Sequence, residues 1–310
     1  MKKHAKLYFV LAMVIFGTIG IARRSIPLSS AALAMVRGLI GALFLLLFKV
    51  LRREKTDWQA VRKNLLKLCF SGAFVAINWI LLFESYRYTT VATATLCYYM
   101  APIFVTLFSP VFFKERLTAR KILCVLVALF GMALISGVLK TGFGGAGELL
   151  GVVCGLGAAV FYASVTVINK TVRGVPPFDK TIVQLSSAFV VLLPYVLITA
   201  RPGDFALTPG AAGLILLVGV VHTGVAFALF FGSVEHIPAQ AASLLSYLDP
   251  VLAIILSAVF LREPLGAETI LGAVLILGSA VYNELAGLRE KGGAKAASSG
   301  AEKKDRKSVV

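Results

Sequence analysis

Apolar residues run along this chain in ten blocks, each bounded by charge or by Pro and Gly. The blocks are Leu7–Ala22, Ser29–Phe48, Leu65–Tyr86, Val91–Phe113, Ala119–Val138, Leu149–Val172, Thr181–Thr199, Gly210–Val234, Ala239–Leu261 and Ala267–Val281. An α-helix needs roughly 20 apolar residues to cross a bilayer. Hydrocarbon offers no water to unpaired backbone groups, so runs of this kind must close their hydrogen bonds internally as helices. The pattern predicts an all-α integral membrane protein with ten transmembrane helices.

Composition sharpens the exclusion. Of 310 residues, 58% are hydrophobic and 15% charged, with a mean hydropathy of +0.88. Soluble domains run at about 45–50% apolar and about 25% charged, so this chain cannot cover a soluble surface. A soluble enzyme, a disordered chain and a disulfide-built secreted domain are all excluded. The net charge of +16 is spread over short tracts between apolar runs, with no basic stripe on a soluble domain, so nucleic acid is not an expected partner. With the N-terminus inside, 24 Lys and Arg fall on cytoplasmic segments and 6 outside. That bias predicts a multi-pass protein of the cell (inner or plasma) membrane with both termini cytoplasmic.

The first run follows Lys2, Lys3 and Lys6 but ends in Ala22-Arg23-Arg24-Ser25, without a cleavage pattern, and reads as a retained helix. Residues 285–310 read as a basic, disordered cytoplasmic tail drawn to anionic lipid. Cys69, Cys97, Cys124 and Cys154 lie inside apolar runs without ligand spacing. No metal site, disulfide or cofactor is expected.

An internal repeat organises the chain. Shifted by 148 residues, Phe83–Leu123 aligns with Phe231–Leu271 without a gap, with 14 identities in 41 positions. They include Tyr99/Tyr247, Pro102/Pro250, Ser109/Ser257 and Glu115/Glu263. Shared apolar composition does not align Pro with Pro and Glu with Glu at one offset, so the unit is duplicated. The repeats span 7–138 and 149–283. Each holds five helices, an odd number, so the second enters the membrane inverted, an architecture recurrent among secondary transporters. The basic loop Lys114–Lys121 against the acidic Arg262–Glu268 agrees with opposite facings.

The segments Tyr88-Thr89-Thr90-Val91-Ala92-Thr93-Ala94, Tyr99-Met100-Ala101-Pro102-Ile103-Phe104, Tyr247-Leu248-Asp249-Pro250-Val251-Leu252 and Phe260-Leu261-Arg262-Glu263 resemble the drug/metabolite transporter superfamily, specifically the EamA-like transporter family. The resemblance covers about Leu7–Val281. It implies carriage of small metabolites, often amino acids or related organic solutes and frequently by export, with a site near the midplane between the repeats. A lipid flippase shares the architecture. A membrane-embedded enzyme on lipid-linked substrates needs clustered acids or histidines near one face, which the sequence lacks. No phosphate loop, zinc-protease motif or nucleophile elbow occurs either, so the chain reads as a carrier and not an enzyme.

The candidate substrate or coupling residues are Arg37, Trp79, Tyr98, Tyr99, Tyr162, His222, Tyr247 and Asp249, with Pro102 and Pro250 as helix breakers. Arg37 lies roughly 12 Å inside its span by helical rise. A charge there costs about 3 kcal/mol unless it meets protein, water or an anion, so it either ties helices together or anchors a substrate carboxylate. Asp249 stands before Pro250, which frees a backbone carbonyl of the preceding turn. It either pairs with Arg37 or contacts substrate and exchanges protons. His222 is a core histidine, a proton relay or a substrate ligand, and the aromatics should face the bundle interior. Glu84 is expected to pair with Arg87, and Glu115 and Glu263 to accept N–H bonds of the helix following each. Gly151 and Gly155 form a G-x-x-x-G that permits close helix contact. The small-molecule substrate, the lipid bilayer, protons and a second copy in a homodimer are the expected partners.

Overall fold

A computed structural model of the chain describes residues 4–114, 117–135, 146–200 and 208–307. Its helical segments are α1 (Ala5–Arg24), α2 (Ser30–Leu51), α3 (Trp58–Tyr88), α4 (Val91–Phe113), α5 (Ala119–Ile135), α6 (Ala146–Thr171), α7 (Pro177–Thr199), α8 (Pro209–Val234), α9 (Ala239–Ser246 followed by Leu248–Phe260) and α10 (Ala267–Lys307). No strand occurs among the described residues. Eight segments are long and apolar enough to cross a membrane, and α9 contributes the shorter apolar helix Leu244–Phe260. The remaining one, α5, has 17 described residues, and its reading as far as Val138 runs outside them.

Local chemistry sets the starts. Ser29, Asp57, Thr90 and Thr208 accept the backbone N–H groups of Ala32, Ala60, Thr93 and Ala211 at 2.9–3.2 Å. Such caps satisfy orphan donors at a helix N-terminus and contribute about 1 kcal/mol each. The Asp57 cap starts α3 seven residues before the apolar run at Leu65. At the other end of the chain, α10 runs on to Lys307 where the sequence suggested a disordered tail. A helix already nucleated in the membrane extends into the Ala, Glu and Lys of this stretch without a new nucleation cost, against about 1 kcal/mol for each of Gly292, Gly293 and Gly300.

The repeat is visible in the backbone. Helix α4 breaks at Tyr99–Met100 and α9 at Tyr247, the equivalent place. Pro102 and Pro250 explain both breaks, because neither can donate to the carbonyl four residues earlier, at Tyr98 and Ser246. Lys114 and Arg262, also equivalent, end their helices in the left-handed region at φ 56° and 54°. Ser109 and Ser257 each donate to the carbonyl three residues before, at 2.9 Å.

Helix pairing follows the same two-fold exchange, α1 with α6, α2 with α7, α3 with α8, α4 with α9 and α5 with α10. The packing of α3 on α6 is matched by α8 on α1, and that of α7 on α3 by α2 on α8. The pairs α2–α7, α4–α9 and α5–α10 map onto themselves. Glycines make these crossings close. A methyl on Gly131 would lie 3.0 Å from the Gly272 carbonyl, and one on Gly272 2.7 Å from the Gly131 carbonyl. The outward surface carries Leu47, Leu66, Val111, Leu197 and Ile198, all more than half exposed, as a lipid-facing belt requires.

One contact breaks the symmetry. Among the described residues, the first part of α4 (Val91–Tyr98) packs on the second part of α9 (Leu248–Phe260) more closely than the matching halves, Ala101–Phe113 and Ala239–Ser246, pack on each other. The described contacts between α4 and α9 therefore gather toward the face that carries Thr90 and Leu261.

Candidate functional site

The breaks in α4 and α9 bring polar groups to the middle of the bundle. Unwinding α4 at Tyr99 turns its phenol toward α9, where it donates to Asp249 Oδ2 at 2.6 Å. Asp249 sits in the first turn of Leu248–Phe260, where the helix dipole favours a carboxylate. Tyr98 stacks on Tyr162 of α6 with ring centroids 5.3 Å apart, and Tyr99 faces Tyr247 at 6.3 Å. Tyr98, Tyr99, Tyr247 and Asp249 are half-buried, and Tyr162 is 45% exposed.

Arg37 is 4% exposed. Its guanidinium lies 3.9 Å over the Trp79 ring and 5.4 Å over Phe83, and its Nε donates to Thr223 Oγ1 of α8 at 3.1 Å. Among the described residues no acceptor engages its terminal nitrogens and no ion pair joins it to Asp249. The sequence left that pairing open; the structure separates the two charges. Tyr86 and Tyr98 lie within electrostatic reach of both, so a cation and an acid flank one group of phenols.

His222 stands apart from the phenols, its Nε2 2.9 Å from Thr18 Oγ1 at the break in α1. Gly17 beside it lets α1 approach α9, since a methyl there would lie 2.9 Å from the Asp249 carbonyl. The sequence reading missed Tyr86, Thr223 and Thr18. Tyr86 ends an apolar run and could have been taken with the other tyrosines; the threonines are set by a helix irregularity that leaves no pattern in the sequence.

Elsewhere charges are paired. Arg87 donates to Glu84 at 3.0 Å. Glu263 does not cap the following helix, as its position suggested. The left-handed Arg262 turns it back, and it accepts the Val91 N–H of α4 at 2.9 Å and Arg24 Nη2 at 3.1 Å. Glu115, its repeat partner, lies outside the described residues. A depression of about 470 Å³ on the face that carries Thr90 and Leu261 is lined by Arg24, Arg87, Thr89 and Glu263, but both arginines already hold carboxylates. Gly151 and Gly155 seat α6 against Thr89 and Cys97, where an added methyl would lie 2.9 and 2.6 Å from the neighbouring side chain.

Lys49 is a further case. Counted by sequence with the cytoplasmic loop charges, it is buried at the end of α2 and donates to Asp179 of α7 and to Thr56 Oγ1 at 2.5 Å. It ties together two helices that are repeat equivalents.

Comparisons with known proteins agree with this architecture. The profile of the EamA-like transporter family matches residues 4–137 and again 149–283. The uncharacterized transporter YxxF of Bacillus subtilis (strain 168) is 31% identical over 280 residues, covering 89% of this chain and 88% of that protein. An uncharacterized transporter of Clostridium kluyveri is 24% identical, covering 91% and 93%. A solved protein crystal structure superposes with a TM-score of 0.62 at 20% identity, covering 93% of this chain and 99% of that one, a likeness of fold. With both repeats matched, the chain belongs to the EamA-like transporter family and is a multi-pass membrane protein of transporter kind.

Proposed function

We propose that this protein is a secondary transporter that exports a small zwitterionic solute, an amino acid or close relative, across the cytoplasmic membrane with both termini inside. The observation that carries the substrate class is Arg37. A guanidinium buried between helices, stacked on Trp79 and without a carboxylate partner, is costly unless an anion completes it. A substrate carboxylate fits the two terminal nitrogens as a bidentate pair. Asp249, across the phenols, suits the ammonium end, and the tyrosine faces suit a cation or an aromatic side chain.

Asp249 also gives the reading its coupling step. It exchanges a proton when the substrate ammonium leaves, so export is driven by proton entry. The two-fold helix pairing supports alternating access by rocking of the repeats. With the basic loops inside, the α4–α9 contacts lie toward the outer side, which suits a state that opens to the cytoplasm. A screen of labelled amino acids on purified protein in liposomes, with and without an imposed pH gradient, tests the reading. Accumulation of at least one zwitterion, enhanced by the gradient, is expected; indifference to every amino acid and to pH contradicts it.

A further inference from the structure

Helix α8 changes winding where it passes Arg37. Val218–Val225 is a π-helical stretch inside an otherwise α-helical span, and such stretches are rare and gather at functional sites. Side chains follow the same five-residue spacing. Thr223 donates its hydroxyl to the Val218 carbonyl at 3.1 Å, and His222 Nδ1 lies 3.4 Å from the Leu217 carbonyl. With its proton committed to Val218, the Thr223 oxygen can only accept, and what it accepts is the Nε–H of Arg37 at 3.1 Å.

The wide turn is pressed onto α2 with little slack. Methyls added to Gly219 or Gly224 would meet Ile40 at 2.7 Å and Phe44 at 2.5 Å, and one on Gly41 would meet the Thr223 γ-methyl at 2.4 Å. So α2 and α8 interlock at successive turns, and the Thr223 oxygen has one position relative to Arg37. The Trp79 ring holds the guanidinium carbon at 3.9 Å from its centroid, and Thr223 holds the Nε–H. Together they leave the edge formed by the two terminal nitrogens as the unpartnered side.

We propose that Thr223 is a positioning residue for substrate recognition: through the π-turn it holds Arg37 so that this edge is presented to a carboxylate. The inference rests on the Arg37 reading above and goes beyond it by assigning a role to the winding defect. Without the Thr223 acceptor, Arg37 keeps its charge but loses its fixed edge. Its Nε–H then competes for the same anion, and bidentate geometry is lost.

The chain has two tryptophans, and Trp58 is 70% exposed at the start of α3. Trp58→Phe therefore leaves Trp79, in contact with Arg37, as the single emitter. In purified Trp58→Phe protein, Trp79 emission is titrated with L-leucine, L-threonine and L-phenylalanine, each beside its methyl ester, which lacks the carboxylate. Thr223→Val keeps the methyl against Gly41 and removes the hydroxyl, with both its bond to Val218 and its acceptance from Arg37; Thr223→Ser keeps the hydroxyl and both bonds. The expected result is at least tenfold weaker binding of the responding amino acid in Thr223→Val, within threefold of the parent in Thr223→Ser, and no change for the ester. Equal affinity in Thr223→Val, or equal weakening of amino acid and ester, overturns the positioning role and leaves the Arg37 reading standing. If no carboxylate saturates the parent signal, while its melting temperature shows it folded, both fall together.

Discussion

The phenol of Tyr99 donates to Asp249 at 2.6 Å across the two broken helices, so the acid is held by the opposite repeat and not by Arg37. The equivalent of Asp249 in the first repeat is Ala101, and the bond has no counterpart there. A symmetric scaffold thus carries one asymmetric polar contact.

Asp249→Asn should therefore abolish pH-driven uptake while the melting temperature moves by no more than a few degrees. Asn keeps the size and hydrogen bonding of the acid but cannot exchange a proton, and no buried cation is stranded by the change. Tyr99→Phe, which removes the hydrogen bond that holds the acid, should lower transport roughly tenfold or more. Full pH-driven uptake by Asp249→Asn would remove the acid from the coupling step.

The Lys49–Asp179 pair should behave in the opposite way. Both side chains are at least 95% buried, so Asp179→Ala strands an ammonium and should cost about 3–5 kcal/mol. Thermal unfolding in detergent measures it. The double change Lys49→Met with Asp179→Leu should recover most of the loss, because paired charges contribute little beyond what an apolar pair supplies. A melting temperature unchanged in Asp179→Ala contradicts the burial.

Glycines differ sharply in what they tolerate. A methyl on Gly72 would lie 2.4 Å from the Gln184 carbonyl, whereas one on Gly213 meets nothing within 4 Å. Gly72→Ala should destabilise by about 1–3 kcal/mol through overpacking. Gly213→Ala should be neutral or stabilising by up to about 1 kcal/mol, from helix propensity alone. Similar melting temperatures for the two variants would contradict the α3–α7 crossing.

Inversion of the repeats predicts that cysteines at Thr118 and Gly266, on equivalent loops, react with an impermeant maleimide from opposite sides, Thr118 from the cytoplasm. Labelling of both from one side refutes the inverted topology.

The spans, the duplication and the two helix breaks were legible because each has a one-dimensional cause: apolar run length, a constant offset of 148, and a proline with no N–H. Tyr98, Tyr99 and Tyr247 could be named as inward-facing, since a tyrosine hydroxyl in lipid needs a partner, whereas Tyr162 is 45% exposed. What stayed hidden depends on three-dimensional register. Lys49 looked like a loop charge until α7 brought Asp179 to it. Glu263 looked like a cap for its own neighbour until the left-handed Arg262 returned it to α4. Thr223 was silent because one extra residue per turn in α8, invisible in composition, decides what it faces.

In the proposed function Arg37 receives the substrate carboxylate. Counterflow exchange of labelled zwitterionic amino acids in proteoliposomes, comparing the unmodified protein with Arg37→Gln and Arg37→Lys, tests it most directly. At least one amino acid should exchange in the unmodified protein. Loss should be about a hundredfold in Arg37→Gln and smaller in Arg37→Lys, which keeps the charge but not the bidentate edge. Equal exchange in Arg37→Gln, or none of any amino acid in the unmodified protein, would contradict it.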